Sequence, residues 1–420
     1  MKKIYKKLFT ILLTSLLFIA TAILSCLPAF AAPPDEDITA ASAILMDTVR
    51  GQILYERDAD NLVSPSIMCK LMTTLITIDK AQLNSKVTIS KNATKINGSS
   101  LNLVVGNLYS VEDLLHAVML SQGNDAAMAL AEYVGEGDIN KFVGYMNDKA
   151  KELSLSSTYF INPTGLFDEG QYTSVKDIAK LIKTAISNPI FNSIFGSRGI
   201  AWINGKDSSV LTNQNKLFWS YTGVDGGKIG TNPQQGTISV TTATKDGRRL
   251  IAVVFDKNEE TTLSQTVKLF DYGFNTYYNG ILISKDTTLR SITVENIDVN
   301  LISKMDVYYT YPIGESYIQT ITFTPNANLK LPLNTDTVAG VIKYILKDGT
   351  AIDVNLYPDR EVVAPEDYRS KIRTILDENK DLVIIVTVLI AIECVLIIYN
   401  IIKLIARLIR KIKQPQKGIS

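Results

Sequence analysis

The pattern of apolar and polar positions predicts β-strands in two stretches that lie far apart along the chain. In the segment 40–57, two β-rich apolar runs flank residues 47–51, an arrangement typical of a hairpin. In the segment 225–255, Asp246 and Gly247 separate two further apolar runs and favour a tight turn between them. Both stretches therefore predict antiparallel strands.

The sequence between these stretches is predicted to be mostly helical. Helices are expected to begin at 110–115 and to cover 126–134, 142–153 and 173–187. A further helix is expected at 262–271, after the second β stretch. Ser110 is the expected cap of the first, because Glu112 and Asp113 follow near the positive end of the helix dipole. Thr173 or Ser174 is the expected cap of the fourth. Strands at both ends with helices between them indicate an α/β sandwich, in which helices cover an antiparallel sheet.

The segment 64–75 predicts a helix that is apolar around most of its surface. Ser64 is the expected N-cap, and Pro65 suits the first turn because its missing N–H is not needed there. Lys70 interrupts the apolar surface, and a buried ammonium group is costly unless it is paired or its pKa shifts. Two interpretations stay open: the lysine reaches solvent or a carboxylate, or burial tunes it to act as a base.

The pattern changes after residue 276. Short alternating strands separated by Asn, Asp, Gly and Pro are predicted at 291–294, 318–323, 338–346 and 351–356. They indicate a small all-β domain over 276–360, which follows the α/β domain over 35–275. A charged connector over 361–381 comes next.

Long apolar runs lie near both ends of the chain. Residues 1–31 combine several lysines, an apolar run and an A-x-A site, which predicts a secretory signal peptide. Residues 382–402 are long enough to cross a bilayer core of about 30 Å, and the basic segment 403–420 follows. By the positive-inside rule we expect that basic tail in the cytoplasm and the preceding domains on the outer side of the cell membrane. Glu393 lies inside the predicted span, where it faces a partner helix or extends toward the headgroups.

Composition narrows the possible chemistry. The 420 residues carry a formal net charge of +1, which argues against a nucleic acid as partner. His116 is the only histidine, so a zinc site with several histidines is impossible, and lysine is favoured as the base of any serine-type reaction. We expect no cofactor. Cys69 is the only cysteine between the two terminal apolar runs, and it is interpreted as a packing residue that forms no disulfide.

The predicted buried helix carries the first of three motifs that together resemble a known family. Residues 65–70, Pro-Ser-Ile-Met-Cys-Lys, resemble the start of the active-site helix in D-alanyl-D-alanine carboxypeptidases, which reads Pro, a small residue and Ser-x-x-Lys. When Lys70 is aligned with the family lysine, Ile67 occupies the position of the nucleophilic serine. Isoleucine has no nucleophilic atom. Ser66 lies one residue earlier, rotated by about 100° around the helix and set back by about 1.5 Å.

The second motif is Ser-x-Asn in that family, and residues 122–124 match it. Asn124 is retained, but Gln122 replaces the serine and has no hydroxyl proton to relay. Ser121 again lies one position too early. The resemblance therefore implies a substrate-binding asparagine without its hydroxyl neighbour.

The third motif is Lys-Thr-Gly on an edge strand, and it matches residues 228–230. Lys228 and Gly230 are retained, while Ile229 replaces the hydroxyl residue. All three motifs have thus lost their hydroxyl position and kept the residues around it. In this order and at this spacing, the three motifs are specific for the fold.

The resemblance implies the fold shared by penicillin-binding proteins and serine β-lactamases, followed by the small β-domain of the same carboxypeptidases. It implies peptidoglycan stem peptides ending in D-Ala-D-Ala as ligands, and β-lactams if the site is competent. Lys70, Asn124 and Ser66 are the candidate catalytic residues that remain. Lys228 and Gly230 are the candidate substrate-binding residues.

Three functions follow from this pattern. The first is a pseudoenzyme that keeps the fold and binds stem peptides without hydrolysing them. The second is an active carboxypeptidase in which Ser66 attacks the penultimate D-alanine carbonyl and Lys70 takes its proton. The third is a structural envelope protein in which both motif lysines are unused.

Overall fold

A computed structural model describes residues 38–204, 207–232, 235–312, 314, 316–364 and 368–412. The predicted signal peptide at 1–31 lies outside the described residues. The chain divides into two compact units. The first holds the described residues up to Thr287 together with Ser303–Thr324 and Ile342–Val354, and the second holds Thr288–Ile302, Pro325–Val341 and the residues from Asn355 onward.

The strands and helices are labelled here in chain order. The strands are β1 (Ser42–Asp47), β2 (Ile53–Arg57), β3 (Lys86–Thr88), β4 (Leu108–Ser110), β5 (Gly199–Asn204), β6 (Asp207–Thr212), β7 (Val224–Asn232), β8 (Gly236–Lys245), β9 (Arg248–Asp256), β10 (Tyr277–Ile283), β11 (Thr288–Val294), β12 (Ile297–Ile302), β13 (Val307–Pro312), β14 (Ile318–Pro325), β15 (Gly340–Leu346) and β16 (Ala351–Pro358). The helices are α1 (Ser66–Lys80), α2 (Val111–Ser121), α3 (Asn124–Val134), α4 (Ile139–Glu152), α5 (Val175–Ala185), α6 (Pro189–Phe195), α7 (Leu217–Ser220), α8 (Glu259–Thr276), α9 (Tyr368–Glu378) and α10 (Lys380–Ile412).

The first unit is organised around an antiparallel sheet in the order β2-β1-β9-β8-β7, which leaves β7 at one edge. Successive side chains on a strand point to opposite faces. On β1, Ile44 and Met46 join the core formed with the helical segment, whereas Ala43 and Leu45 join a second core with α8. Both faces of the sheet are therefore covered by helices, and every residue of β1 is buried.

Helix α1 runs through the centre of the helical segment. Every residue in the range 67–77 is buried, and α1 packs against α2, α3, α4 and the edge strand β7. This position explains the apolar surface predicted for the segment 64–75. It also brings the start of α1 next to the exposed edge of the sheet.

The local predictions with clear turn or capping signals are confirmed. The segment 40–57 forms the β1–β2 hairpin, and Asp246 and Gly247 turn with φ of 52° and 73° between β8 and β9. Ser110 caps α2 in a capping box with Asp113, and Ser174 caps α5. Each of these features depends on neighbours within a few residues.

The predicted N-cap of α1 is wrong. Pro65 occupies the cap position, and the buried Oγ of Ser64 has no hydrogen-bond partner among the described residues. The reason is tertiary: Val63 pairs with Thr173 through two backbone hydrogen bonds of 2.8 and 3.1 Å. This pairing fixes the backbone at Val63, directly before Ser64, and the first turn of α1 receives no side-chain cap.

The strands predicted after residue 276 are confirmed as β11, β14, β15 and β16. Strands β10, β12 and β13 were not predicted, and neither was the β5–β6 ribbon. On β10 and β13 the buried residues do not alternate regularly with exposed ones. The sequence there therefore shows no two-residue repeat of apolar and polar positions. In the second unit, Val299 of β12 and Leu356 of β16 are fully buried.

Helix α10 contains the predicted span 382–402. Within the described residues it is the one helix long and apolar enough to cross a membrane, over Lys380–Leu408. The predicted connector at 361–381 includes helix α9.

Candidate active site

A cavity of about 230 Å³ lies where the start of α1, the α2–α3 junction and the end of β7 meet. Two glycine-containing loops complete its wall. The lining residues are Ser66, Lys70, Gly98, Ser99, Gln122, Asn124, Gly165, Leu166, Phe167, Thr231 and Asn232. Residues of the first two motifs therefore share one cavity with Thr231, which directly follows the third motif.

On α1, it is Ser66 and Lys70 that face this cavity. They are four residues apart, which puts them on one side of the helix. Ile67 is 0% exposed and belongs to the core instead. A Cβ atom at Gly230 would lie 2.4 Å from Ile67 Cγ2, so the branched side chain fills the space under the glycine of the third motif.

Lys70 donates a hydrogen bond of 2.5 Å from Nζ to the Thr164 carbonyl oxygen. No carboxylate forms an ion pair with it among the described residues. Burial lowers the pKa of Lys70 to about 8, and the nearby Cys69 thiol opposes this shift. Ser66 is half-buried and forms no hydrogen bond to Lys70 within the described part of the chain. A base with a lowered pKa and a hydroxyl group thus share the cavity without being joined.

Lys228 projects from the edge strand toward α2, on the same side of the sheet as α1, and does not line the cavity. It is 1% exposed, and Nζ donates hydrogen bonds of 2.9 Å to the carbonyl oxygens of Val118 and Met119. These carbonyls belong to the last turn of α2, where backbone acceptors lack partners within the helix. Burial and, secondarily, the charge of Lys70 lower the pKa of Lys228. Lys228 therefore joins the edge strand to the end of α2.

Gln122 connects the same two elements at the mouth of the cavity. Its backbone has φ of 57° at the end of α2. Its side-chain Nε2 donates to the carbonyl oxygen of Ile229 at 2.8 Å and to Oε1 of Gln214 at 2.6 Å. A serine side chain is too short to span this gap, so the substitution adds a bridge as well as removing a hydroxyl group.

Asn124 has one half of its amide satisfied. Nδ2 donates to the Asn97 carbonyl oxygen at 2.7 Å, whereas the buried Oδ1 accepts no hydrogen bond from the described residues. Asn124 is 3% exposed. Its orientation leaves a hydrogen-bond acceptor in the cavity wall.

The third motif presents no hydroxyl group at position 229. Ile229 is buried, while Thr231 lines the cavity and its Oγ1 lies 3.0 Å from Thr237 Oγ1. Gly230 passes so close to α1 that a Cβ atom would lie only 2.4 Å from Ile67 Cγ2. The glycine is therefore required by the contact between α1 and the edge strand.

Cys69 points into the core, away from the cavity wall. Its Sγ lies 3.7 Å from Gln171 Oε1, and burial raises the pKa of the thiol to about 12. The thiol therefore stays protonated and packs as a small apolar group. The described residues contain no cluster of three side chains suited to holding a metal ion.

The sequence motifs did not identify two parts of the site. Gln214 holds the Gln122 amide, and the turn at 162–166 supplies the acceptor for Lys70. Gly165 in this turn has φ of 77°, and a Cβ there would lie 2.3 Å from the Ser66 carbonyl oxygen. The turn chemistry at 162–166 was visible in the sequence, but its contact with α1 was not.

Comparison with known proteins gives consistent matches over most of the chain. Residues 29–259 match the family described as D-alanyl-D-alanine carboxypeptidase, and residues 279–364 match the C-terminal domain of penicillin-binding protein 5. The chain is 32% identical to D-alanyl-D-alanine carboxypeptidase DacC of Escherichia coli (strain K12) over 334 residues, which cover 75% of this chain and 82% of the relative. It is also 32% identical to DacF of Bacillus subtilis (strain 168) over 263 residues, covering 61% of this chain and 67% of that protein.

Solved structures show the same similarity. Penicillin-binding protein 5 from Haemophilus influenzae superposes with a TM-score of 0.67 at 29% identity, covering 80% of this chain and 100% of that chain. The carboxypeptidase DacD from Francisella tularensis superposes with a TM-score of 0.62 at 25% identity, covering 80% and 96%. The fold is therefore shared with these proteins.

Proposed function

Because the chain belongs to the D-alanyl-D-alanine carboxypeptidase family, we propose that it binds peptidoglycan stem peptides but hydrolyses their terminal D-alanyl-D-alanine bond slowly or not at all. The observation that carries this proposal is the burial of Ile67, whose side chain is 0% exposed at the family position of the nucleophile. Loss of a serine nucleophile alone lowers the rate of a serine hydrolase by a factor on the order of 10⁶.

The cavity wall supports binding without hydrolysis. Lys70 uses one of its three N–H donors on Thr164, and Asn124 Oδ1 is an unfilled acceptor. A peptide amide offers both an acceptor and a donor, which these groups complement. Ser66 adds a hydroxyl group between them.

The edge of the sheet supports a restricted mode of binding. An extended peptide can add to an edge strand by pairing with its free backbone groups. Gln122 already donates to the Ile229 carbonyl oxygen on β7. We therefore expect a stem peptide to be held in the cavity and to pair less extensively along the strand.

The first test is labelling with a fluorescent penicillin. The purified full chain is expected to form no covalent adduct under conditions in which E. coli DacC is labelled to completion. A synthetic pentapeptide ending in D-Ala-D-Ala is expected to bind without release of D-alanine, as followed by calorimetric titration. Labelling at a rate similar to that of DacC would contradict the proposal, and absence of peptide binding would favour the structural role.

The second test restores the three hydroxyl groups. The combined variant Ile67→Ser, Gln122→Ser and Ile229→Thr is expected to regain penicillin labelling. Its matched control carries the additional change Lys70→Ala and is expected to lose labelling again, because the base is removed. A folded triple variant that remains unlabelled would show that these three positions do not account for the lost chemistry.

An active enzyme with a displaced nucleophile is the second candidate. Two observations favour it: Ser66 and Lys70 line the same cavity, and the pKa of Lys70 is lowered to about 8. In this reaction Ser66 Oγ attacks the carbonyl carbon while Lys70 takes the hydroxyl proton and passes it to the amine of the terminal D-alanine, which leaves as the peptide bond breaks. Water later hydrolyses the acyl-enzyme. Mass spectrometry after penicillin treatment tests this candidate. It requires an adduct on the peptide that contains Ser66, and the adduct must be absent in Ser66→Ala.

The place of action proposed for the chain is the outer side of the cell membrane, with α10 as its anchor. The length and apolar surface of α10 support an anchor, and Lys403 and Arg407 at its end support the predicted orientation. Membrane fractionation tests the anchor, because a chain released by truncation before residue 380 is expected to become soluble. Protease added to intact spheroplasts tests the orientation.

A further inference from the structure

Helix α10 carries a regular stripe of polar side chains. Glu393, Asn400 and Arg407 are spaced seven positions apart. Seven residues make nearly two helical turns and advance the chain by about 10.5 Å, so the three side chains lie on one face of the helix. All three are exposed and have no side-chain partner within the described residues.

Two of these residues are costly in lipid. The predicted span 382–402 places Glu393 close to the middle of the bilayer and Asn400 near its basic end. Polar side chains at such depths usually face another protein segment, where hydrogen bonds replace water. Because α10 is exposed along its described length, no other segment that the structure describes covers them.

The spacing specifies how a second helix would pack. A repeat of seven falls short of two full turns by about 20°, and this difference is absorbed when two helices cross with a left-handed supercoil. Leu389 and Leu396 alternate with the polar positions, as in a heptad seam. The face is therefore built for a helix of the same periodicity.

We propose that α10 pairs in parallel with α10 of a second copy of this chain, through the seam formed by Leu389, Glu393, Leu396 and Asn400. This inference rests on the proposed membrane anchor. Two copies inserted in the same orientation bring each polar side chain opposite its own equivalent at the same depth. An asparagine amide donates to and accepts from a second amide, and two carboxyl groups pair when they share a proton.

Symmetry is what favours a second copy as the partner. A different protein would need two complementary polar groups at two matching depths, whereas a copy supplies both without further requirement. Arg407 lies beyond the predicted span, where water and salt screen the repulsion between like charges. The cost of meeting its own equivalent is therefore small.

Disulfide cross-linking in native membranes tests the geometry. The full chain carrying Cys26→Ser, Cys69→Ser and Cys394→Ser receives a single cysteine through Leu396→Cys, within the seam. The matched control keeps the natural Cys394, which neighbours Glu393 but points away from the seam. Mild oxidation is expected to give a covalent dimer with the cysteine at 396 and little with Cys394, and the opposite or equal yields would overturn the proposal.

Polar substitutions in the Leu396→Cys chain test the cause. The pair Glu393→Leu and Asn400→Leu is expected to lower the dimer yield roughly tenfold, as loss of one or two hydrogen bonds between membrane helices implies. Glu393→Gln keeps a neutral hydrogen-bonding group and is expected to retain the dimer. An unchanged yield in the double leucine variant would overturn the proposal. A soluble full chain would overturn the anchor and the dimer together, whereas a membrane-bound chain without cross-links would overturn the dimer alone.

Discussion

Two buried lysines lie on the helical side of the edge strand β7, and they differ in the groups that accept their hydrogen bonds. Lys70, which lines the cavity, is 5% exposed and donates to one carbonyl oxygen in a loop. Lys228, outside the cavity lining, is 1% exposed and donates to two carbonyl oxygens at the end of α2. One ammonium group still has donors that can reach a ligand in the cavity, and the other is committed to the fold.

The contacts of the two lysines differ although both are retained motif residues. The sequence resemblance gives both lysines a part in catalysis or substrate binding. In the structure, the two lysines differ in their surroundings. Lys228 donates hydrogen bonds to carbonyl oxygens at a helix terminus, whereas Lys70 lines a ligand-sized cavity. The three predictions below test this contrast, beginning with the largest effect.

The largest effect is expected from Lys228→Ala. Two buried carbonyl oxygens lose their donor, and removal of the aliphatic chain leaves a void, so the free energy of unfolding should fall by about 3 kcal/mol or more. Lys70→Ala should cost only about 1 kcal/mol, since water entering the cavity can hydrogen-bond to Thr164. Thermal unfolding of the two variants in the same detergent measures the difference. Equal losses would show that the two lysines support the fold alike.

The second prediction concerns pH and Lys70. Its pKa is about 8 in the folded chain, below the ordinary lysine value of 10.5, because burial disfavours the charged form. Between these two values the unfolded chain binds more protons than the folded chain, so this group makes the fold more stable as pH rises through that window. Below pH 8 both states carry the proton, and the full penalty of burying the charge is present.

A comparison with Lys70→Met measures this contribution together with the relief of Lys228, whose pKa is also lowered by the charge of Lys70. The stability of the variant relative to the original chain should be highest near pH 7 and should fall as pH rises toward 10. Melting temperatures across this range provide the measurement. A constant difference between the two proteins would mean that the pKa of Lys70 is not lowered by folding.

The smallest effect is expected from loosening the bridge between the end of α2 and the edge strand. Gln122→Ala removes the hydrogen bonds to Ile229 and Gln214 and should cost about 1 kcal/mol. Gln214→Ala, the matched control, removes only the exposed bond and should cost less. Hydrogen exchange at the end of β7 should accelerate more in the first variant than in the second. Identical exchange rates would indicate that Gln122 does not hold the edge strand.

Much of the fold was predictable because its signals are local. The β8–β9 turn needs two residues that tolerate positive φ, and the capping box of α2 needs only Ser110 and Asp113. Strands β10 and β13 were missed because their burial does not alternate, so the sequence carries no period of two there. The sequence does not reveal that Ser64 fails to cap α1, because Thr173, the partner of the preceding residue Val63, is remote in sequence.

By itself, the sequence determined the order and spacing of the three motifs, the loss of their hydroxyl positions at 67, 122 and 229, and the apolar helix near the C-terminus. These are properties of residue identity and short-range periodicity. Only the tertiary structure decided which carbonyl oxygens accept from Lys70 and Lys228, and that Gln122 bridges to the edge strand. Such contacts join segments that are distant along the chain, and no local pattern encodes which of them will meet when the core packs.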